Sequence, residues 1–160
     1  MQSEHALTLL ETIDNCFRSL HGSPLPCPEN TVNRLQWLDE EAPFSILAHK
    51  NGAPPRFIYA NDYALTCFKY SLEEMLGLPS NQSAAKQDRA EREKFLQEVA
   101  QNGIVYDYSG PRIDKYGTMF FIYAGIVWQL FNQDGTPWGQ AALFWTDQKK
   151  RPKWYNISKS

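Results

Sequence analysis

The segment 59–77, YANDYALTCFKYSLEEMLG, constrains the fold more than any other part of the chain. A strand-like apolar run ends there in an Asn-Asp pair, either member of which can cap a helix. Ser71 and Glu74 then form a capping-box pattern, and Gly77 closes a second short helix. The segment therefore predicts a chain that leaves the edge of a sheet and crosses its face in short, sharply redirected helices.

Strand signals flank this segment on both sides. Before it, FSILAHK and RFIYAN read as two strands joined by the turn NGAPP. After it, a helix is predicted over 89–101, with Asp88 and Glu91 as another capping box. Three strands follow, separated by the hairpin turns DKYG and NQDG. The pattern predicts an α+β fold with a five-stranded antiparallel sheet and helices over one face.

The fourth of these strands, TMFFIYAGIVWQLF, carries an unusually long alternating pattern. Every second residue is apolar, and we expect these residues to share the side that faces the core. They are Phe120, Ile122, Ala124, Ile126, Trp128 and Leu130.

Residues 4–20 predict an amphipathic helix, because apolar residues recur there at spacings of three and four. Its apolar stripe includes Leu9, Leu10, Ile13 and Phe17. Such a stripe needs a cover. A second copy of the chain would make it a homodimer interface, and burial against the chain's own sheet is the alternative.

Composition shifts divide the chain into three parts. Residues 1–41 hold the first helix and a Pro-rich linker, residues 42–147 hold the main domain, and residues 148–160 form a basic tail. A tail of this kind is more typical of a solubilising end than of a nucleic-acid contact.

Charge and cysteine usage exclude several classes of protein. The net charge of −2 argues against nucleic acid and anionic membranes as partners. The three cysteines, without a CxxC pair, argue against a disulfide framework and a zinc site. We see neither a signal peptide nor a membrane-spanning apolar run, so we expect a cytoplasmic protein.

The element order and the motifs together resemble the PAS fold. YANDYALTCFKYSLEEMLG is similar to the PAS segment in which a strand ends in Asn and a Gly-Tyr-Ser/Thr-x-x-Glu box ends in Gly, except that Lys69 replaces the usual first glycine. The stretches APFSILAHK, DRAEREKFLQEV, DYSGPRI and VWQLFNQDGTPWGQAALF resemble the MEKHLA domain, a PAS relative. That domain occurs as stand-alone bacterial proteins and at the C-terminal end of plant class III homeodomain–leucine zipper transcription factors.

The resemblance to the MEKHLA domain covers about residues 5–146 and departs from the family at two positions. Asn81 and Ala85 stand where the family usually has Arg and Glu. The resemblance implies a sensory or regulatory role and does not name a ligand.

The residues with which PAS relatives bind or react with flavin and haem are missing from the corresponding segments of this sequence. Flavin photosensors of this fold place a reactive cysteine in the region that corresponds to LGLPSNQSAAKQDR, which has none, and Cys67 lies earlier, as a core thiol. Haem PAS domains use a ligand such as His on the long helix, which also has none. We therefore expect neither a flavin photoadduct nor haem, and the cofactor, if any, stays unknown.

The sequence contains none of the catalytic or nucleotide-binding motifs that we considered. There is no nucleophile elbow, no P-loop and no GxGxxG, and His5, His21 and His49 lie in no catalytic pattern. We expect His49 to be a surface or capping residue rather than a metal ligand, and we expect no metal site. We expect no enzyme, with a small cone-shaped α+β enzyme as an alternative.

A small organic ligand suits the aromatic and polar residues of the predicted sheet. The candidates are Tyr59, Asn61, Tyr108, Arg112, Trp128 and Gln140. Each has a structural alternative: Asn61 as a helix cap, Trp128 as core, Tyr108 with Arg112 as an exposed stack, and Gln140 turned to solvent by a one-residue shift of strand phase.

Arg89 and Arg92 lie one turn apart on the long helix. Such a pair is typical of a solvated face, and anion binding is the alternative.

The sequence thus predicts a non-catalytic sensory or regulatory domain that binds a small ligand and signals through protein contact, including a possible homodimer. A ligand-free dimerisation or interaction module is the alternative.

Overall fold

A computed structural model describes residues 4–85 and 88–146 of the chain. It contains five α-helices, a 3₁₀ turn at Ser80–Ser83 and five strands within those ranges. The helices and strands are α1 Glu4–His21, α2 Arg34–Glu40, β1 Ser45–Lys50, β2 Arg56–Ala60, α3 Asp62–Phe68, α4 Leu72–Met75, α5 Arg89–Asn102, β3 Ile104–Ile113, β4 Met119–Phe131 and β5 Pro137–Trp145. The basic tail lies outside the described residues.

The five strands form one antiparallel sheet in the order β2-β1-β5-β4-β3. The first hairpin therefore lies beside the last strand, and β1 pairs with both β2 and β5. The predicted fold class, with its five-stranded antiparallel sheet, is confirmed.

Helices cover both faces of the sheet. On one face, here called the α1 face, α1 and α2 pack in a core cluster with residues such as Ile46, Trp128 and Leu143. On the other, the α5 face, residues of α3 and α4 pack with Leu47, Ile122 and other strand residues, and α5 lies beside them over β3 and β4. Burial on both sides explains why β1 is almost continuously buried.

The apolar stripe of α1 lies against the chain's own sheet. Leu10, Ile13 and Phe17 are completely buried, Leu9 packs at the margin of the same cluster, and the indole N–H of Trp128 donates to the carbonyl oxygen of Ile13 at 3.2 Å. A dimer formed through this stripe would therefore require α1 to leave the sheet.

A β-bulge changes which face the side chains of β4 occupy. The pairing with β5 shifts between Tyr123 and Ile126, and Ala124 has a left-handed φ of 52°. In the neighbouring strand β3, Asp107 has a φ of 58° and precedes Tyr108, which pairs with Gly125. The extra residue reverses the alternation, so the expectation of one continuous core face along β4 is wrong: Phe120 and Ile122 face α5, whereas Ile126, Trp128 and Leu130 face α1.

The predicted helix caps form at two of three positions. Asn61 caps α3 by accepting from the backbone N–H of Ala64 at 3.0 Å. Ser71 and Glu74 make both bonds of the capping box. Asp88 makes no side-chain cap bond, because its own backbone is already helical, so the capping box predicted there is wrong.

Candidate functional site

A cavity of about 60 Å³ lies between α5 and the sheet. Its walls are mainly apolar and aromatic, and they come from β1, β2, β4, β5 and α5; they include Leu47, Phe57, Phe95, Ile122, Val127 and Phe144. A few polar side chains converge on the same space: His49, Ser83, Arg92, Tyr108, Arg112 and Gln140. This combination of apolar walls and few polar groups is typical of small-molecule sites.

Gln140 lies at the centre of the sheet, where β5 pairs with β1 on one side and β4 on the other. Its side-chain nitrogen donates to the carbonyl oxygen of Leu96 at 3.1 Å and to the amide oxygen of Gln129 at 3.3 Å. The carbonyl of Leu96 only accepts, so it fixes the orientation of the amide. The amide oxygen of Gln140 is buried and has no hydrogen-bond donor among the described residues.

Arg112 and Tyr108 form a fixed pair on β3. The guanidinium donates to the Tyr108 hydroxyl at 2.7 Å and to the carbonyl oxygen of Pro111 at 2.6 Å. It also lies over the Tyr108 ring, 5.2 Å from its centroid. Two of its five N–H groups are engaged in this way, so the others remain able to donate.

Arg92 is buried beneath α5 with 9 % of its surface exposed. Within residues 4–85 and 88–146 no acceptor binds its guanidinium and no carboxylate pairs with it. Burial lowers the pKa of Arg92 to about 10, and the charge of Arg112 acts in the same direction, against smaller opposite effects of Tyr108 and Glu93. A cation that has lost most of its hydration and has no counter-charge is costly to bury.

The interpretation of Arg92 as part of a solvated face is therefore wrong. It lies on the stripe of α5 that also carries Phe95, Leu96 and Val99, so its spacing from them was the available signal. Arg89 lies outside the cavity and donates to the carbonyl oxygens of Asn81 and Ala84.

His49 is also buried, contrary to the expectation of a surface residue, with 6 % of its area exposed. Its strand is central, since β1 lies between β2 and β5. Desolvation, with a contribution from Arg92, lowers the pKa of His49 to about 4. The ring is therefore neutral at neutral pH.

A groove of about 280 Å³ lies outside the cavity, between α5 and β3. Arg92, Phe95, Tyr108 and Arg112 line both spaces. The acidic residues of the region, Asp88, Glu91 and Glu98, line only the groove. The stacked Phe95 and Tyr108 thus lie between the cavity and the groove.

Three of the six predicted ligand-binding residues, Tyr108, Arg112 and Gln140, are brought together at the cavity. The other three are not. Trp128 faces α1 because of the β4 bulge. Tyr59 faces the same way because of a register shift in β1–β2, and its hydroxyl donates to Asp39 at 2.6 Å.

Asn61 serves the fold rather than the cavity. Its side-chain oxygen accepts from the N–H groups of Ile46 and Ala64, each at 3.0 Å. Its nitrogen donates to the carbonyl oxygens of Leu38 and Phe44 at 2.9 and 3.0 Å. The amide is completely buried and all of its hydrogen-bonding groups are used. Asn61 is therefore the helix cap that the sequence offered as an alternative, and it also binds three backbone groups outside α3.

Cys67 does not line the cavity; burial raises the pKa of its thiol to about 11. Among the described residues, no group of three or more His, Cys, Asp or Glu side chains is arranged to hold a metal ion. None of the described helices has the length and apolarity needed to cross a membrane.

Comparison with known proteins gives one family and a set of structural neighbours. The family model described as the MEKHLA domain matches residues 7–147. A PAS domain from Colwellia psychrerythraea is similar to this chain with a TM-score of 0.64 and 18 % identity, covering 73 % of this chain and 96 % of that one. No curated protein sequence gives a match.

Light-oxygen-voltage domains are also among the structural neighbours. One, solved in a study of a flavin analogue, has a TM-score of 0.56 and 16 % identity, covering 66 % of this chain and 78 % of its own. An RNA-binding light-oxygen-voltage receptor has a TM-score of 0.60 and 17 % identity, over 78 % of this chain and 36 % of the receptor. At these identities the likeness concerns the fold alone.

Proposed function

The chain belongs to the MEKHLA domain family, and from that premise we propose that it is a PAS-like sensory domain that binds a small organic ligand and signals through contact with protein partners. The observation that supports this most is the cavity between α5 and the sheet, where unsatisfied polar groups face apolar walls. The proposal assigns the domain no catalytic role.

The size of the cavity fits a small molecule. A water molecule needs roughly 10–15 Å³ of such space, and the cavity has about 60 Å³. It therefore has room for roughly four to six water-sized groups. Thiol chemistry with a flavin has no support here, because no cysteine among the described residues lines the space.

Strand β4 offers a route from the ligand to the opposite side of the sheet. Ile122 and Val127 line the cavity, whereas Trp128, next in sequence, packs on α1 and donates to Ile13. A ligand that binds one arrangement of β4 better than another would change how α1 is seated. The partner contact would respond through α1.

The β3–β4 hairpin provides a second surface for a partner. Tyr116, Met119 and Phe121 are 72, 57 and 45 % exposed. Apolar side chains grouped at the end of one hairpin are suited to burial by another protein.

Native mass spectrometry of gently purified protein, beside a denaturing control, tests ligand binding and subunit number together. We expect an extra mass that denaturation removes. Ala142→Leu should abolish that mass, because Ala142 lines the cavity and the larger side chain would fill it. Ala100→Leu on the exposed side of α5 is the matched control and should retain it.

Two results would contradict the proposal. An extra mass that persists in Ala142→Leu would place the ligand outside this cavity. Protein that carries no ligand in any of the three forms, and that assembles constitutively, would instead support the ligand-free interaction module.

A further inference from the structure

The charged side chains that line the cavity are all positive. Among the described residues that line it, the charged groups are the guanidinium groups of Arg92 and Arg112, and there is no carboxylate. Asp88, Glu91 and Glu98 line the groove outside and not the cavity, and Glu93 lines neither. His49 is neutral at neutral pH. Buried like charges repel one another, so an anion is the missing element that would stabilise this arrangement.

Both guanidinium groups have unused hydrogen-bonding capacity. Arg112 engages two of its N–H groups with Tyr108 and Pro111, and Arg92 engages none with the described part of the chain. The planar guanidinium matches a carboxylate through paired N–H donors. An anion in the cavity would therefore meet donors that are already in place.

A second requirement comes from the amide oxygen of Gln140. This buried acceptor has no partner, while the other end of the amide is fixed by Leu96 and Gln129. A ligand that donates a hydrogen bond would satisfy it. An ammonium donor would be repelled by the two arginines, so a neutral donor is favoured, and a hydroxyl is the smallest.

The volume of the cavity favours a carboxylate over a phosphate as the bound anion. A phosphate group alone would fill most of a space that holds roughly four to six water-sized groups. A carboxylate is smaller and leaves room for a carbon body against the apolar walls, such as Ile122 and Phe144.

On these grounds, and resting on the proposed ligand-binding function, we infer that the ligand is a small hydroxycarboxylate. Its carboxylate is held by Arg92 and Arg112, and its hydroxyl donates to the amide oxygen of Gln140. The short carbon body contacts the apolar walls of the cavity.

Four three-carbon probes of similar size separate charge from hydroxyl: lactate, propionate, propylene glycol and isopropanolamine. Each is titrated at constant ionic strength into isotopically labelled protein and followed by two-dimensional NMR, which detects weak binding. We expect lactate to bind roughly tenfold more tightly than propionate, the effect of one hydrogen bond. Propylene glycol and isopropanolamine should bind at least roughly 100-fold more weakly than lactate, and therefore more weakly than propionate, because neither has a carboxylate for the two arginines.

Substitutions test which residues bind the carboxylate of the ligand and which residue binds its hydroxyl. Arg92→Gln and Arg112→Gln should each weaken lactate and propionate by about 10- to 100-fold. Gln140→Met should remove the advantage of lactate over propionate and leave propionate unchanged. Arg18→Gln removes the same unit charge from an exposed position of α1, on the other face of the sheet, and should change neither affinity.

The inference is overturned if propylene glycol binds as tightly as propionate, or if Arg92→Gln and Arg112→Gln both keep the affinity for propionate. It is also overturned if none of the probes binds. The proposed function survives each of these results provided that the native protein carries a ligand mass that Ala142→Leu abolishes, so the two failures can be told apart.

Discussion

The rings of Phe95 and Tyr108 stack with their centroids 4.0 Å apart, between the cavity on one side and the outer groove on the other. One ring belongs to α5 and the other to β3. A ligand that enters from the groove must separate them or move α5 away from β3.

Phe95→Ala should therefore speed both association and dissociation of a bound ligand while changing its equilibrium affinity less. NMR line shapes during a lactate titration measure both rates. Gln97→Ala, exposed on the same helix, is the control and should leave the rates unchanged. Unchanged rates in Phe95→Ala would mean that the ligand enters elsewhere.

Arg92→Met should stabilise the ligand-free protein, unlike most substitutions at buried positions. It replaces an unpaired buried cation by an apolar side chain of similar length, which removes a desolvation cost. We expect a gain of about 1–3 kcal/mol in the free energy of unfolding, measured in urea. Lys94→Met at an exposed position should change it by less than about 0.5 kcal/mol. A loss of stability in Arg92→Met would show that the charge is already compensated.

His49 should make the fold less stable in acid. Its pKa is lowered from 6.5 to about 4 in the folded state, so the unfolded chain binds the proton more readily. The resulting loss in the free energy of unfolding is absent above pH 6.5, the pKa of histidine in the unfolded chain. It grows as the pH falls from 6.5 towards 4 and reaches roughly 3 kcal/mol.

His49→Gln removes this titration, and its stability should depend less on pH than that of the unaltered protein in the same window. Urea unfolding from about pH 7 down to about pH 4.5 measures the difference. His5→Gln, at an exposed histidine of α1, should follow the unaltered protein. Parallel curves for His49→Gln and the unaltered protein would contradict the burial of a neutral ring.

Asn61→Ala should be strongly destabilising, because four buried backbone groups lose their partner at once. We expect a loss of about 3–5 kcal/mol in the free energy of unfolding. Ser71→Ala removes an exposed cap and should cost only about 1 kcal/mol. Equal effects of the two substitutions would mean that Asn61 is no more than a helix cap.

Trp128→Phe should weaken the fold and act on the cavity only through β4. It removes the hydrogen bond to Ile13 and part of the contact with Phe17, at a cost of about 1–2 kcal/mol. Because coupling between two sites is reciprocal, the changed contact with α1 should shift lactate affinity, by less than the roughly tenfold effect of Gln140→Met. An unchanged affinity in Trp128→Phe would contradict the route from the cavity through β4 to α1.

The elements of this fold could be predicted because their signals are local. The capping box at Ser71 and Glu74, the Asp-Gly hairpin turn and the periodicity of α1 each depend on residues a few positions apart. The order of the elements then predicted the five-stranded antiparallel sheet.

Half of the residues predicted for a ligand site line the cavity, and the two bulged pairings explain why Trp128 and Tyr59 do not. Gln140 lies on a strand segment whose pairing with β1 is regular, so its phase could be read from alternation. Trp128 and Tyr59 lie beyond register shifts. One extra residue reverses the face of everything that follows it, and short-range patterns do not mark where that happens.

The sequence by itself determined which segments are helices and strands, where the caps of α3 and α4 and the hairpin turns lie, and the family to which the order of the elements belongs. Only the tertiary structure decided that α1 covers its own sheet, that Trp128 turns away from the cavity, and that His49 and Arg92 are buried beside Arg112 and Gln140. The physical reason is that capping and periodicity act between neighbours in the chain. Burial and charge environment are set by residues far apart in sequence, which meet only when β1, β5, β3 and α5 pack together.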